Sequence, residues 1–279
     1  MLNQLRKWAS LSLLCLALVS CSDEEVKPAS SQDNNLAMGN PSNAGTGFDN
    51  FLIEKPQYAL SYSNYRGTPN WVSWHLSPDW MGNASRQDDF RGDNTLPASF
   101  QRVIPSDYTN SGFDRGHNCP SADRTRTEDD NSATFLMTNM IPQAPDNNQE
   151  TWANLENYSR KLVDQGNELY IIMGSYGKGG TGSNGFKETL ADGKVTVPNR
   201  IWKVIVVLPQ GHDDVGRITT NTRIIAVDTP NSVTVNPDWG GYRTTVDAIE
   251  KKTGHDILSS VPAAIQDVLE AQVDKGPTS

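Results

Sequence analysis

The chain predicts an α+β fold with a central, mostly antiparallel sheet flanked by helices, and three features lead there. Apolar runs rich in β-branched and aromatic residues, at 58–63, 71–76, 169–173, 201–208 and 224–227, have the length of strands. Stretches of helical character, at 131–138, 149–163, 246–252 and 263–273, do not alternate strictly with those strands, which argues against a doubly wound parallel sheet. Residues 80–125 form a long polar connection, and long ordered loops are more often functional than idle.

The N-terminus is a processing signal rather than part of that fold. Arg6 and Lys7 precede a short apolar run at 11–18, too short for the ~20 residues that span a bilayer. Leu18-Val19-Ser20-Cys21 resembles a bacterial lipobox, so residues 1–20 are expected to leave and Cys21 to be acylated, the domain then being exported and anchored by lipid alone. Ser22 after the cysteine points to the outer membrane. Residues 21–50, polar and rich in Ser, Asn, Pro and Gly, are expected to be a flexible tether, and residues 51–279 a single domain. Cys15 leaves with the signal and Cys21 is acylated, so Cys119 has no disulfide partner. A small buried thiol is the expectation for it.

The formal charge is −9, and losing Arg6 and Lys7 makes the remainder more negative still. That sign excludes holding nucleic acid by bulk electrostatics. Any phosphate chemistry must rest on local charge, and the basic residues from 86 to 126 are all arginine: Arg86, Arg91, Arg102, Arg115, Arg124 and Arg126. Arginine offers a planar fork matched to phosphate and keeps its charge.

Chemical density peaks at Phe113-Asp114-Arg115-Gly116-His117, then Thr138-Asn139-Met140-Ile141-Pro142-Gln143, then Asn147 to Glu156. Hydrolysing a phosphodiester needs a base for water, charge against the pentacovalent phosphorus, and support for the leaving oxygen. A neutral imidazole suits the first task, and His117 is available for it. Gly116 would permit an unusual backbone before it, and Asp114 would fix the loop or orient Arg115. Asp-x-Gly-His alone fits a structural histidine better; the downstream helix reverses that balance. There Asn148, Trp152, Glu156 and Arg160 recur at four-residue steps on broadly one side. Trp152 belongs to the core, Glu156 and Arg160 also fit a simple surface pair, and Asn148 also fits an N-cap. One neutral amide leaves a Mg²⁺ ion nearly its full charge, and Mg²⁺ takes few protein ligands. These motifs carry no carboxylate cluster, which favours one metal with a histidine base over two metals.

These residues, with Ser121-Ala122-Asp123-Arg124, resemble the signature of the DNA/RNA non-specific endonucleases of the ββα-metal, or His-Me finger, superfamily, close to the cyanobacterial type. The resemblance runs from about residue 56 to 207 and more thinly beyond. It implies an antiparallel sheet with flanking helices, and cleavage of single- and double-stranded DNA and RNA to 5′-phosphates. His117 matches the general base, Asn148 the direct ligand of Mg²⁺ or Mn²⁺, and Glu156 a carboxylate reaching the metal through water. Arg86 matches an arginine that stabilises the transition state. Arg115 and Arg160 match positions near the phosphates, and Asn139 and Gln143 positions that brace the site. Asn118-Cys119-Pro120 departs from the usual apolar-Ala-Pro and bears on the packing of His117. Neither the oligomeric state nor an inhibitor protein is specified by the sequence.

A catalytically silent lipoprotein that binds nucleic acid, and a phosphodiesterase of narrower substrate range, are the competing readings. The first has no use for His117, Asn148 and Glu156 together. His75 on its aromatic strand is expected to be structural, His212-Asp213-Asp214 a solvated turn, and Glu128-Asp129-Asp130 a helix start. His255 is expected to cap the helix that ends near Gly254.

Overall fold

The computed structural model describes residues 34–279; the signal segment, Cys21 and the first part of the expected tether lie outside them. An eight-stranded antiparallel sheet has the order β1 (Thr46–Gly47), β2 (Asn50–Glu54), β3 (Ala59–Ser63), β4 (Thr68–Leu76), β7 (Asn167–Tyr176), β12 (Arg200–Pro209), β13 (Arg223–Pro230), β14 (Arg243–Thr244). A separate hairpin pairs β5 (Asp114–His117) with β6 (Met140–Gln143). Two short hairpins, β8 (Gly180–Gly182) with β9 (Gly185–Lys187) and β10 (Thr189–Leu190) with β11 (Val195–Thr196), lie between β7 and β12.

The central strands are covered on both faces, which is why they read as apolar runs and not as alternations. Trp74, Leu76, Ile171, Met173, Ile201 and Ile205 point to one side, where Ile141, Trp152, Leu155 and Leu162 meet them. Trp71, Tyr170, Ile172, Trp202 and Val204 point to the other, under Val246, Ile249, Ile257, Leu258 and Leu269. The helices are α1 (Glu128–Ala133), α2 (Ala153–Asp164), α3 (Val246–Thr253) and α4 (Ala263–Leu269). Thr127 caps α1 by accepting from the Asp130 amide at 3.1 Å, so the acidic run does open a helix, three residues earlier than periodicity alone predicts.

The expected tether is corrected: residues 34–50 belong to the domain. Met38 is only 1% exposed and packs with Ile257, Leu258 and Val261. The Ser42 hydroxyl accepts from Trp71 Nε1 at 2.7 Å, and Ser73 Oγ donates to the Asn35 carbonyl at 2.6 Å. A segment poor in apolar residues is held by a few well-placed ones, with Asn and Ser satisfying the backbone of its turns.

Candidate active site

Three elements build the site in chain order: strand β5, strand β6, and the helix that follows. Residues 114–117, expected as a loop, form an edge strand with Asp114 opposite Gln143 and His117 opposite Met140. Gly116 serves close packing rather than unusual backbone. A Cβ there would lie 2.3 Å from Gln143 Oε1 and 2.6 Å from Gln143 Cβ. The hairpin is fastened to the end of the main sheet by Asn231, which donates to the Pro142 carbonyl at 2.9 Å and accepts from the Ala144 amide at 2.7 Å. Gln143 Nε2 donates to Asn147 Oδ1 at 2.7 Å, and Asn147 Nδ2 to Thr229 Oγ1 at 2.9 Å. Gln143 therefore braces the helix start against β13.

The motif helix opens as a π-helix, Asn147–Trp152, and continues as α2. On an α-helix each four-residue step overshoots a full turn by roughly 40°, whereas a wider π turn falls short. The π segment thus offsets part of the drift from Asn148 to Arg160. Asn148 is not an N-cap: its Nδ2 donates to Asp114 Oδ2 at 2.8 Å, as does Gln149 Nε2 at 2.8 Å. Asp114 therefore holds Asn148, a link that neither expected role for it anticipated. With its NH₂ end engaged, Asn148 Oδ1 takes no hydrogen bond among the described residues.

His117 sits in an aromatic cage. Its ring lies edge-on to Phe135 at 4.9 Å and tilted to Phe90 at 5.5 Å between centroids. Each of those rings carries an arginine, Arg115 4.4 Å from the Phe90 centroid and Arg86 4.9 Å from that of Phe135. Burial, and then the charges of Arg86 and Arg115, push the imidazole down to about 3, so it is neutral at pH 7. Its Nε2 is buried with no hydrogen-bond partner among the described residues. Arg86 is also held by Ser121 Oγ at 2.8 Å and Asp88 Oδ1 at 2.7 Å.

Asn139 settles how the departing Asn118-Cys119 segment packs. Asn139 Oδ1 accepts from the Cys119 amide at 3.0 Å, and its Nδ2 donates to the Cys119 and Thr134 carbonyls at 2.9 Å. Asn118 Nδ2 returns a bond to the Asn139 carbonyl at 2.9 Å. Cys119 is fully buried, and burial pushes its thiol up to about 12, so it is the inert residue expected and no nucleophile.

Four of the six arginines expected to supply local charge are tied up elsewhere. Arg124 is fully buried and donates to the carbonyls of Gln57, Asp123 and His75. Arg102 bonds the Asp93 and Leu96 carbonyls, Arg91 pairs with Asp89, and Arg126 with Asp130. Of the six, Arg86 and Arg115 flank His117. The supposed Glu156–Arg160 surface pair is also replaced. Arg160 Nη1 pairs with Asp123 Oδ1 at 2.7 Å, Asp123 Oδ2 accepts from Trp74 Nε1 at 3.0 Å, and Glu156 Oε1 faces Lys203 Nζ at 3.5 Å. Lys203 on β12 is the residue that sequence reasoning missed. A lysine within the run at 201–208 was a visible signal, because a buried charge needs a partner. Burial raises the Glu156 carboxyl and lowers the Lys203 ammonium, each drawn back by the other.

His75 and Asp214 belong elsewhere. His75 Nε2 lies 3.2 Å from Glu168 Oε2, and Glu168 and Asp214 share Arg217 at 2.5 and 2.6 Å. This group could enclose a cation, but a guanidinium already supplies one. Asp214 is buried there, unlike the solvated residue expected.

Residues 34–264 match the family model described as DNA/RNA non-specific endonuclease. A nuclease from Nostoc sp. strain PCC 7120 is 53% identical over 242 residues, covering 86% of this chain and 85% of that protein. Nuclease C1 of Cunninghamella echinulata is 30% identical over 227 residues, covering 78% and 85%. A crystal structure of the EndoG/EndoGI complex superposes with a TM-score of 0.67 at 23% identity, covering 82% of this chain and 91% of the matched one, which supports the fold. A β5–β6–helix unit carrying His117 and Asn148, set on an antiparallel sheet, agrees with these likenesses, and the chain belongs to the DNA/RNA non-specific endonucleases, hydrolases of the ββα-metal fold.

Proposed function

We propose that this enzyme cleaves DNA and RNA, single- or double-stranded, with little preference for sequence or sugar, using His117 as base and one divalent ion of the Mg²⁺ type held at Asn148. The observation that carries this is the Asp114–Asn148 hydrogen bond, 2.8 Å long, on the strand that also bears His117. It ties a neutral amide oxygen, free of other hydrogen bonds among the described residues, to the strand that carries a neutral imidazole, and an amide oxygen fits a hard ion retaining its waters. The ion, when bound, supplies positive charge to the scissile phosphate and the leaving oxygen.

The chain's own groups do the rest. His117 Nε2, which has no other partner, accepts the proton of the attacking water. Arg115 and Arg86, fixed over Phe90 and Phe135, take the charge that builds on the phosphoryl oxygens. Glu156, held by Lys203, would order water bound to such an ion, and Arg160, held by Asp123, would bind the neighbouring phosphate. The bond to the 3′-oxygen breaks, leaving a 5′-phosphate. The Cys21 lipobox supports export and anchoring by lipid, best at an outer membrane. Release of Cys21→Ala protein from the membrane fraction checks this, and an unchanged distribution contradicts it.

The experiment is plasmid and RNA digestion with Mg²⁺ or EDTA, beside His117→Ala. The variant should lose at least ~10²–10⁴ in rate, about 3–5 kcal/mol of barrier. Near-normal cleavage by it removes the histidine from the mechanism, and activity undiminished in EDTA removes the metal.

A further inference from the structure

On the face of the sheet opposite His117, α3 and the end of α4 bring three carboxylates together. The ligand oxygens of Asp247, Glu250 and Glu270 all lie within 4.8 Å of one another. Glu270 is only 6% exposed, and its Oε1 is buried with no hydrogen-bond partner among the described residues. The backbone holds this convergence: the Asp247 amide donates to the Glu270 carbonyl at 3.1 Å, and Glu250 Oε1 accepts from the Ile257 amide at 2.6 Å. The charges that bear on Glu270 are Glu250, Asp247, Asp256 and Asp267, all of one sign. Lys251 and Lys252 follow on α3 but are exposed, and neither forms an ion pair with these acids among the described residues.

The contrast with the Glu168–Asp214 group on the same molecule is instructive. There Arg217 sits between the carboxylates. Here no positive group among the described residues does, although a buried carboxylate without a hydrogen bond is costly unless its charge is met. A proton on Glu270 would meet it, but would leave the approach of Asp247 and Glu250 without a use.

We propose that Asp247, Glu250 and Glu270 form a site for a hard divalent cation of the calcium type that ties the end of α4 to α3. Calcium takes six to eight oxygens at about 2.3–2.6 Å, in flexible geometry that tolerates carboxylates of unequal burial and several waters. A separation of 4.8 Å is within what two opposed oxygens of such a sphere show. The ion would act on stability and leave the chemistry at His117 alone.

The test is thermal melting of Asn148→Ala protein, in which the ion of the catalytic site is removed, with calcium, with magnesium and with EDTA. The same series is run on that protein carrying Glu270→Gln or Asp247→Asn. Calcium at about a hundred times its Kd should raise the melting temperature by roughly 5 °C or more, magnesium by less. Glu270→Gln should abolish the shift without lowering the melting temperature in EDTA, because the amide carries no charge to repel its neighbours. Asp247→Asn, at an exposed position, should weaken calcium at least tenfold by calorimetric titration. Equal melting in calcium and EDTA overturns the proposal and assigns Glu270 a proton. A calcium shift that persists unreduced in either variant overturns it as well.

Discussion

Lys203 Nζ lies 3.5 Å from Glu156 Oε1, beneath the rings of Trp74 and Trp152, whose centroids are 5.5 and 5.0 Å away. A strand in the middle of the sheet thereby reaches the motif helix at two successive turns. Lys203 is only 1% exposed, so this pair has little water to share its charge. Lys203→Met should cost up to about 3–5 kcal/mol, because it leaves a half-buried carboxylate without its cation. Lys203→Met with Glu156→Gln should regain much of that stability but not the activity. Urea unfolding of the single and double variants measures it, and a double variant as unstable as the single one contradicts the pairing.

Asp114 acts through Asn148. Asp114→Ala frees the amide to rotate, so the Mg²⁺ concentration for half-maximal cleavage should rise about tenfold or more, while the rate at saturating Mg²⁺ falls less than in Asn148→Ala. Mg²⁺ titration of the initial rate decides. An unchanged midpoint would show that Asn148 is oriented without Asp114.

His117 has a folded pKa of about 3 against 6.5 for the free side chain. Between those values the unfolded chain binds the proton and the folded one does not, so stability falls as pH drops from about 6.5 toward 3. This histidine contributes a slope of at most about 1.4 kcal/mol per pH unit. His117→Gln should show a shallower loss over that window in urea unfolding at several pH values. Parallel curves for the two proteins would mean that the imidazole protonates freely in the fold.

Gly116→Ala would drive a methyl into Gln143, whose Cβ lies 2.6 Å from the new atom. The expected cost is ~1–3 kcal/mol, with activity lost through displacement of His117. Gln143→Ala in the same protein should return part of the stability. A Gly116→Ala protein of normal stability would show that the hairpin can separate at no cost.

The candidate site residues stand out in the sequence because each carries a chemistry that few side chains share. A histidine after Asp-Arg-Gly, an asparagine and a glutamate eight residues apart, and arginines upstream are all local facts of the chain. The covered strands were legible too, since residues such as Ile171, Ile172, Val204 and Ile205 are apolar on both sides of the sheet. The segment at 34–50 was not, because its hold on the domain comes from partners such as Trp71, Ser73 and Ile257 that are distant in the chain.

The sequence by itself determined the family, through its motifs, and the sheet, through its apolar runs, and it singled out His117 and Asn148 as the candidates for base and metal-side amide. Only the tertiary structure decided the pairings. It gave Asp114 to Asn148, Asp123 to Arg160 and Lys203 to Glu156, and took Arg124 out of the phosphate's reach. The physical reason is that a charge or an amide can be satisfied by any complementary group, and which one it meets depends on how β4, β5, β12 and the motif helix are brought together.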